Sequence, residues 1–254
     1  MSNIKETWKD FFNDDYCKYG KYLYTEEQTI NAVEGIKQIL NLPKGSNILD
    51  LCCGYGRITI PLAKEGYNLV GIDGSSDLIN SGIKEAERNA VEINFTNKDA
   101  RNINFDEDFD AVINTGGAFG YTLDVQADKY ILKNIEKSLK PGGKLIMEIH
   151  SRDGHLRSFN NDYNETNFDN TKMGFEYRFD PINSIWGYTF NWKDGENSKS
   201  SSLDFRLYTP SEIIRMLEEA GFENINVFGN WDQSALEVDH STMILVCEKK
   251  RCEK

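Results

Sequence analysis

No apolar run in the sequence approaches the ~20 residues needed to cross a bilayer, and the first residues, Met1 to Phe12, are polar where a secretory leader needs an apolar stretch. A protein of the cytoplasm, with no membrane partner, is expected. The five cysteines at positions 17, 52, 53, 247 and 252 form no C-x-x-C pair. Cys52 and Cys53 are adjacent, which ordinary disulfide geometry does not bridge, so reduced thiols and no metal centre are expected. Basic residues are also short, 29 against 41 acids, for a net charge of −12. With no Lys/Arg block to neutralise phosphates, the chain argues against a nucleic-acid partner; only a locally basic face would escape this. Oligomeric state is left open.

What is present is a chain of 254 residues, 39% hydrophobic, enough to bury a sizeable core. Trp8, Phe11, Phe12, Tyr16 and Tyr19 recur at steps of three and four, which predicts one helical aromatic stripe. Its hydroxyls, with those of Tyr22 and Tyr24, suit either a packed core or a lid over a polar ligand. A second helix through Ile30, Val33, Ile36, Ile39 and Leu40 stops at Leu42-Pro43-Lys44-Gly45.

From residue 47 strands and helices alternate. Asn47 to Cys52, Asn68 to Ile72, Ile93 to Asn97, Ala111 to Thr115 and Lys144 to Ile149 read as strands. Helices at 58–64, 78–91 and 126–139 separate them, the last followed by a Pro141-Gly142-Gly143 turn. Such alternation implies right-handed crossovers and a parallel sheet. It fails from Ser151 to about Ser202, where alternating aromatics over 175–179 and 185–192 predict an inserted antiparallel patch turning at Asp194-Gly195. Thr209-Pro210-Ser211-Glu212 is a capping box for a helix ending at Gly221. Strands at 225–228 and 242–248 close the sheet.

Asp50-Leu51-Cys52-Cys53-Gly54-Tyr55-Gly56-Arg57 places glycines where a strand feeds a helix, letting backbone approach a ligand closely. Asp73 follows Gly54 by 19 residues at the end of the next strand, where a carboxylate accepts ribose hydroxyls. A dinucleotide fingerprint needs a third glycine, and Thr59 stands there instead. This lowers the rival reading, a nicotinamide-dependent oxidoreductase.

Here the sequence resembles the class I S-adenosylmethionine-dependent methyltransferases, over roughly residues 45 to 150 plus the final helix and strands. Lys98-Asp99-Ala100 is similar to the family's adenine-contacting segment, and Asp110 to Thr115 to its strand-four segment. Leu139-Lys140-Pro141-Gly142-Gly143 and Leu217 to Phe222 resemble further family phrases. The departure is Cys52, where many members carry Gly.

The resemblance implies an α/β, Rossmann-like, seven-stranded, mostly parallel sheet with helices on both faces and a small antiparallel β insertion after strand five. Residues 1–150 and 203–254 would bind S-adenosyl-L-methionine beneath an N-terminal helical lid, with 151–202 forming the acceptor pocket. Candidate cofactor-binding residues are Tyr19, Asp50, Cys52, Gly54, Gly56, Arg57, Asp73, Asp99, Ala100 and Asn114. The implied activity is methyl transfer to a small molecule, an amine favoured, with a hydroxyl or carboxylate open. Glu148 and His150 end strand five on the side where open α/β sheets bind ligands. His150, with an ordinary pKa of about 6.5, is the candidate base, and Tyr121 the candidate for orienting the acceptor. A cofactor-binding protein without catalysis, or another use of the sulfonium, fits the same motifs.

Overall fold

The computed structural model describes residues 5–20, 23–159, 164–168, 171–194 and 196–251. A seven-stranded sheet is ordered β10-β11-β5-β4-β1-β2-β3, with β1 at Asn47–Leu51, β2 at Asn68–Asp73, β3 at Asn94–Asn97, β4 at Phe109–Asn114, β5 at Leu139–His150, β10 at Phe222–Phe228 and β11 at Thr242–Lys249. β11 runs antiparallel to both neighbours, while the pairings among β1 to β5 are parallel. This is the mostly parallel Rossmann-like sheet expected. The central strands are short apolar runs because both faces are covered: α3 (Glu26–Leu40) and α4 (Thr59–Lys64) pack one face, α6 (Val125–Ser138) and α8 (Pro210–Ala220) the other. α5 (Ser76–Arg88) follows β2.

The helix signals act as local chemistry requires. Thr25 Oγ1 accepts from the Gln28 amide while Gln28 Oε1 accepts from the Thr25 amide, opening α3. Thr209 and Glu212 do the same for α8, which ends at Gly221 with φ 104°.

Three local expectations are corrected. The N-terminal aromatics do not share one helix: Asn13 accepts from the Asp15 and Tyr16 amides and starts a new helix, so α1 (Trp8–Phe11) and α2 (Asp14–Tyr19) are separate. The Pro141-Gly142-Gly143 segment is taken into β5, with a register shift against β4 between Phe109 and Ala111. The segment after β5 opens with a helix, α7 (Arg152–Arg157), before a four-stranded antiparallel sheet of β6 (Asn164–Phe168), β7 (Thr171–Asp180), β8 (Ile185–Asp194) and β9 (Asn197–Arg206). Gly195, expected at its turn, lies outside the described residues, as does Tyr22.

One face of that sheet buries an aromatic cluster that Phe11 from α1 joins together with Phe190, Phe205 and Trp186. Phe11 is 2% exposed and stands edge-on to Tyr188 and Phe190 at 5.6 and 5.5 Å. Burying one such ring stabilises by about 2 kcal/mol, enough to dock so short a helix.

Candidate functional site

The chain runs outward from β1 to β2 and β3 and returns beside β1 as β4, a switch point where the loops leave the carboxyl ends of the strands in opposite directions. A cavity of about 340 Å³ opens there, lined from the β1 turn by Cys52, Gly54 and Arg57 and from β2 by Asp73. Its size suits a small-molecule or cofactor site.

The turn after β1 holds two consecutive demands on the backbone. Cys52 has φ 62° and Gly54 φ 59°. Cys52 therefore bears a left-handed strain of roughly 1 to 2 kcal/mol, the physical reason glycine suits that position. At Gly54 an added Cβ would meet nothing within 4 Å, because that direction opens into the cavity. Asp73 locks the turn: its Oδ2 accepts from the Gly54 amide at 2.9 Å and its Oδ1 from Ser75 at 2.8 Å. Burial raises the Asp73 pKa, against the lowering effect of those two amides.

Asp50 and Gly56 do not line the cavity. Asp50 is 1% exposed and accepts from Thr59 Oγ1 at 2.6 Å. Its Oδ1 is buried with no partner among the described residues, and burial pushes its pKa up to about 7. Gly56 packs against Ile60 and Phe95. Arg57 reaches the cavity rim with its guanidinium 3.8 Å from the Tyr24 ring centre.

Asp99, Ala100 and Arg101 line another wall. The Asp99 carboxylate is already engaged, by the Arg101 amide at 2.9 Å, its Nε at 2.9 Å and its Nη2 at 2.5 Å. Burial alone would raise the Asp99 pKa, but Arg101 holds it below the ordinary value. The same guanidinium clasps Glu6 at 2.5 and 3.0 Å, which ties the N-terminal segment to the rim. Sequence reasoning missed this ion pair, since single charges 95 positions apart leave no motif. Trp8 lies against Gly74, where a Cβ would come within 2.6 Å of its ring.

Asn114 Nδ2 donates to the Leu51 carbonyl at 2.8 Å, bracing β4 to β1, and its Oδ1 is buried without a partner among the described residues. The Tyr19 side chain lies outside what the structure describes. Tyr16, Tyr121 and Tyr188 line the far end, all raised above the ordinary tyrosine pKa by burial and so neutral. Asp128, which sequence reasoning passed over in the first turn of α6, also lines the cavity and accepts from Thr122 Oγ1 at 2.7 Å and Tyr208 Oη at 2.6 Å.

His150 faces this cavity and a second one beyond it. Its ring stacks on Phe205 at 4.5 Å and meets His155 edge-on at 4.8 Å. Gly117 makes room for it, since a Cβ there would collide with the imidazole Nε2. Burial, with His155 adding to it, lowers the His150 pKa to about 3 rather than leaving it at 6.5. It is a neutral imidazole whose Nδ1 finds no partner among the described residues. Glu148 turns elsewhere, accepting from the Gly116 amide at 2.8 Å.

These residues fit a nucleoside cofactor with a short polar arm: an open glycine cradle, a buried carboxylate ending β2, and an orphaned buried oxygen on Asn114. The comparisons agree. Residues 48–143 match the family described as a methyltransferase domain, so this segment is similar to the domain that family shares. It is 35% identical over 112 residues to the putative methyltransferase YqeM of Bacillus subtilis, covering 44% of this chain and 45% of that protein. The chain thus spans under half the length of that relative. Similarity to the demethylmenaquinone methyltransferase of Staphylococcus saprophyticus is 26% over 230 residues, 88% of this chain and 91% of that one. The fold is that of the CcbJ methyltransferase from Streptomyces caelestis, with a TM-score of 0.84 at 15% identity over 97% of this chain and 100% of that one.

Proposed function

We propose that the chain is a small-molecule methyltransferase in which residues 1–150 and 203–254 hold S-adenosylmethionine and residues 151–202 cover the acceptor. The observation that carries the reading is one cavity lined both by the Gly54–Asp73 cradle and by the His150 imidazole and the Tyr188 ring.

The cofactor would supply a methyl group on a sulfonium, and its transfer to an acceptor lone pair would leave the neutral thioether S-adenosylhomocysteine and, where the acceptor is an amine or a hydroxyl, one proton to be taken up. Gly54 gives the cofactor's amino-acid arm room, and Asp73 offers its remaining lone pairs to the ribose hydroxyls. Cys52, Asp99, Ala100, Asn114 and Arg57 wall the same space. Tyr16, Tyr121 and Tyr188 exclude water from the far end, which strengthens the electrostatics of what remains and favours alignment. His150, neutral at physiological pH, accepts the N–H or O–H hydrogen of the acceptor and so turns its lone pair toward the methyl group. A group of such low basicity cannot deprotonate a resting amine or alcohol. It takes the proton only as the new bond makes the acceptor strongly acidic.

The test is time-dependent formation of S-adenosylhomocysteine from labelled cofactor with a panel of amines, phenols and carboxylates. Binding of S-adenosylhomocysteine without turnover of any acceptor would leave a cofactor-binding protein that does not catalyse. Tighter binding of a nicotinamide dinucleotide would overturn the cofactor assignment.

A further inference from the structure

Between the N-terminal helices and the inserted sheet lies another chamber, of about 200 Å³, lined by Phe11, Tyr16 and Leu23 on one side and Met173, Phe175 and Phe190 on the other. Among the described residues no lining residue is charged, and none falls within residues 48–143, the segment that matches the methyltransferase domain family. The chamber abuts the cofactor cavity at Tyr16, Leu23 and Tyr188, which line both. A further cavity of about 340 Å³ holds the polar groups of this region, His150, His155, Ser158 and Ser241. Among the described residues Tyr188 is the one common to all three.

We propose that the apolar chamber seats an uncharged, ring-sized group of the methyl acceptor, which makes the acceptor an aromatic or comparably apolar molecule. The inference rests on the methyltransferase reading and adds its substrate class. Size and chemistry select the occupant. An apolar protein cavity of about 150 Å³ stays dry and takes up benzene, so this chamber suits one ring with a small substituent. A carboxylate or ammonium placed there would lose its hydration and meet no countercharge among the described lining residues. Tyr188 at the junction sets the direction of fit: a ring held among Phe11, Phe175 and Phe190 places its polar substituent toward Tyr188, and beyond it toward His150. The acceptor's apolar part is then recognised entirely by the N-terminal helices and the inserted sheet, while the Rossmann-like sheet holds the cofactor.

The experiment uses the full chain saturated with S-adenosylhomocysteine, and 4-fluorophenol and 4-fluorobenzoate as fluorine NMR probes. Saturable line broadening of 4-fluorophenol at millimolar concentration is expected, with 4-fluorobenzoate binding about tenfold more weakly or not at all. Phe175→Asp should weaken 4-fluorophenol by about tenfold. Leu23→Trp, which fills the chamber from a position 45% exposed in the parent, reads the same effect should the first variant fail to fold. Equal binding of both probes, or 4-fluorophenol binding unchanged in a folded variant, overturns the proposal. Calorimetry of S-adenosylhomocysteine alone separates the two readings: its failure to bind defeats the cofactor assignment, whereas its binding without that of 4-fluorophenol defeats only the acceptor class.

Discussion

The Gly54 amide donates to Asp73 Oδ2 at 2.9 Å, so the glycine turn after β1 and the acid ending β2 are a single unit. Asp73→Ala therefore removes two backbone anchors and, on the proposed reading, a ligand contact together. Affinity for S-adenosylhomocysteine should fall by about 2 kcal/mol, roughly thirtyfold, as read by titration calorimetry. Unchanged affinity in a folded variant would remove Asp73 from the site.

Gly54→Val tests the cradle from the other side. Its Cβ has open space, but a φ of 59° costs a branched residue on the order of 1 to 2 kcal/mol. A folded protein with a lowered melting temperature and no measurable cofactor binding is expected. Retained binding would mean the turn does not face the ligand.

His150 makes a claim about pH. Burial lowers its pKa to about 3 from an ordinary 6.5, so the imidazole stays neutral through the physiological range and the rate should show no inflection near 6.5 from this group. His150→Gln should cut turnover by about a hundredfold while cofactor affinity stays within twofold. An acid limb at pH 6 to 7 that disappears in the variant would contradict the burial argument. In stability the sign is that of a depressed base: its contribution is full above about 6.5 and is lost as pH falls toward 3.

Asp50 behaves oppositely. Burial lifts it from 3.8 to about 7, so between those values the folded chain keeps a proton that the unfolded chain has released. Stability from this group is present below about pH 4 and lost as pH rises through 7. Asp50→Asn, which retains an acceptor for Thr59 Oγ1, should stabilise the ligand-free protein by on the order of 2 kcal/mol at pH 8 and by little at pH 4. Denaturant melts at the two pH values decide it.

The sheet, the Thr209–Glu212 capping box and the placing of Gly54 and Asp73 at adjacent strand ends were legible because each is written in local sequence: apolar runs, Thr-x-x-Glu, and an acid at a strand end. The break at Asn13 was not, since an N-cap inside an aromatic period keeps the period while dividing the helix. Asp50 was named for the cavity but its spacing could not show that Thr59 lies behind the turn and draws its carboxylate inward. The Arg101–Glu6 clasp, Asp128 and the depressed pKa of His150 depend on segments far apart in the chain. Burial by tertiary packing, not spacing, decides such groups.

The N-terminal segment spans two neighbourhoods. Toward the cofactor rim it is held by Glu6 on Arg101 and by Ser75 Oγ donating to the Phe12 carbonyl at 2.6 Å. Toward the inserted sheet it is held by Thr7 Oγ1, which accepts from the Asp204 amide at 2.7 Å, and by the buried Phe11. A molecule that stiffens this bridge from either side reduces the ordering cost left for the other. On the proposed reading the coupling would be reciprocal: whatever factor the cofactor adds to acceptor affinity, the acceptor would add to cofactor affinity, a thermodynamic pair joined through this segment rather than through shared walls.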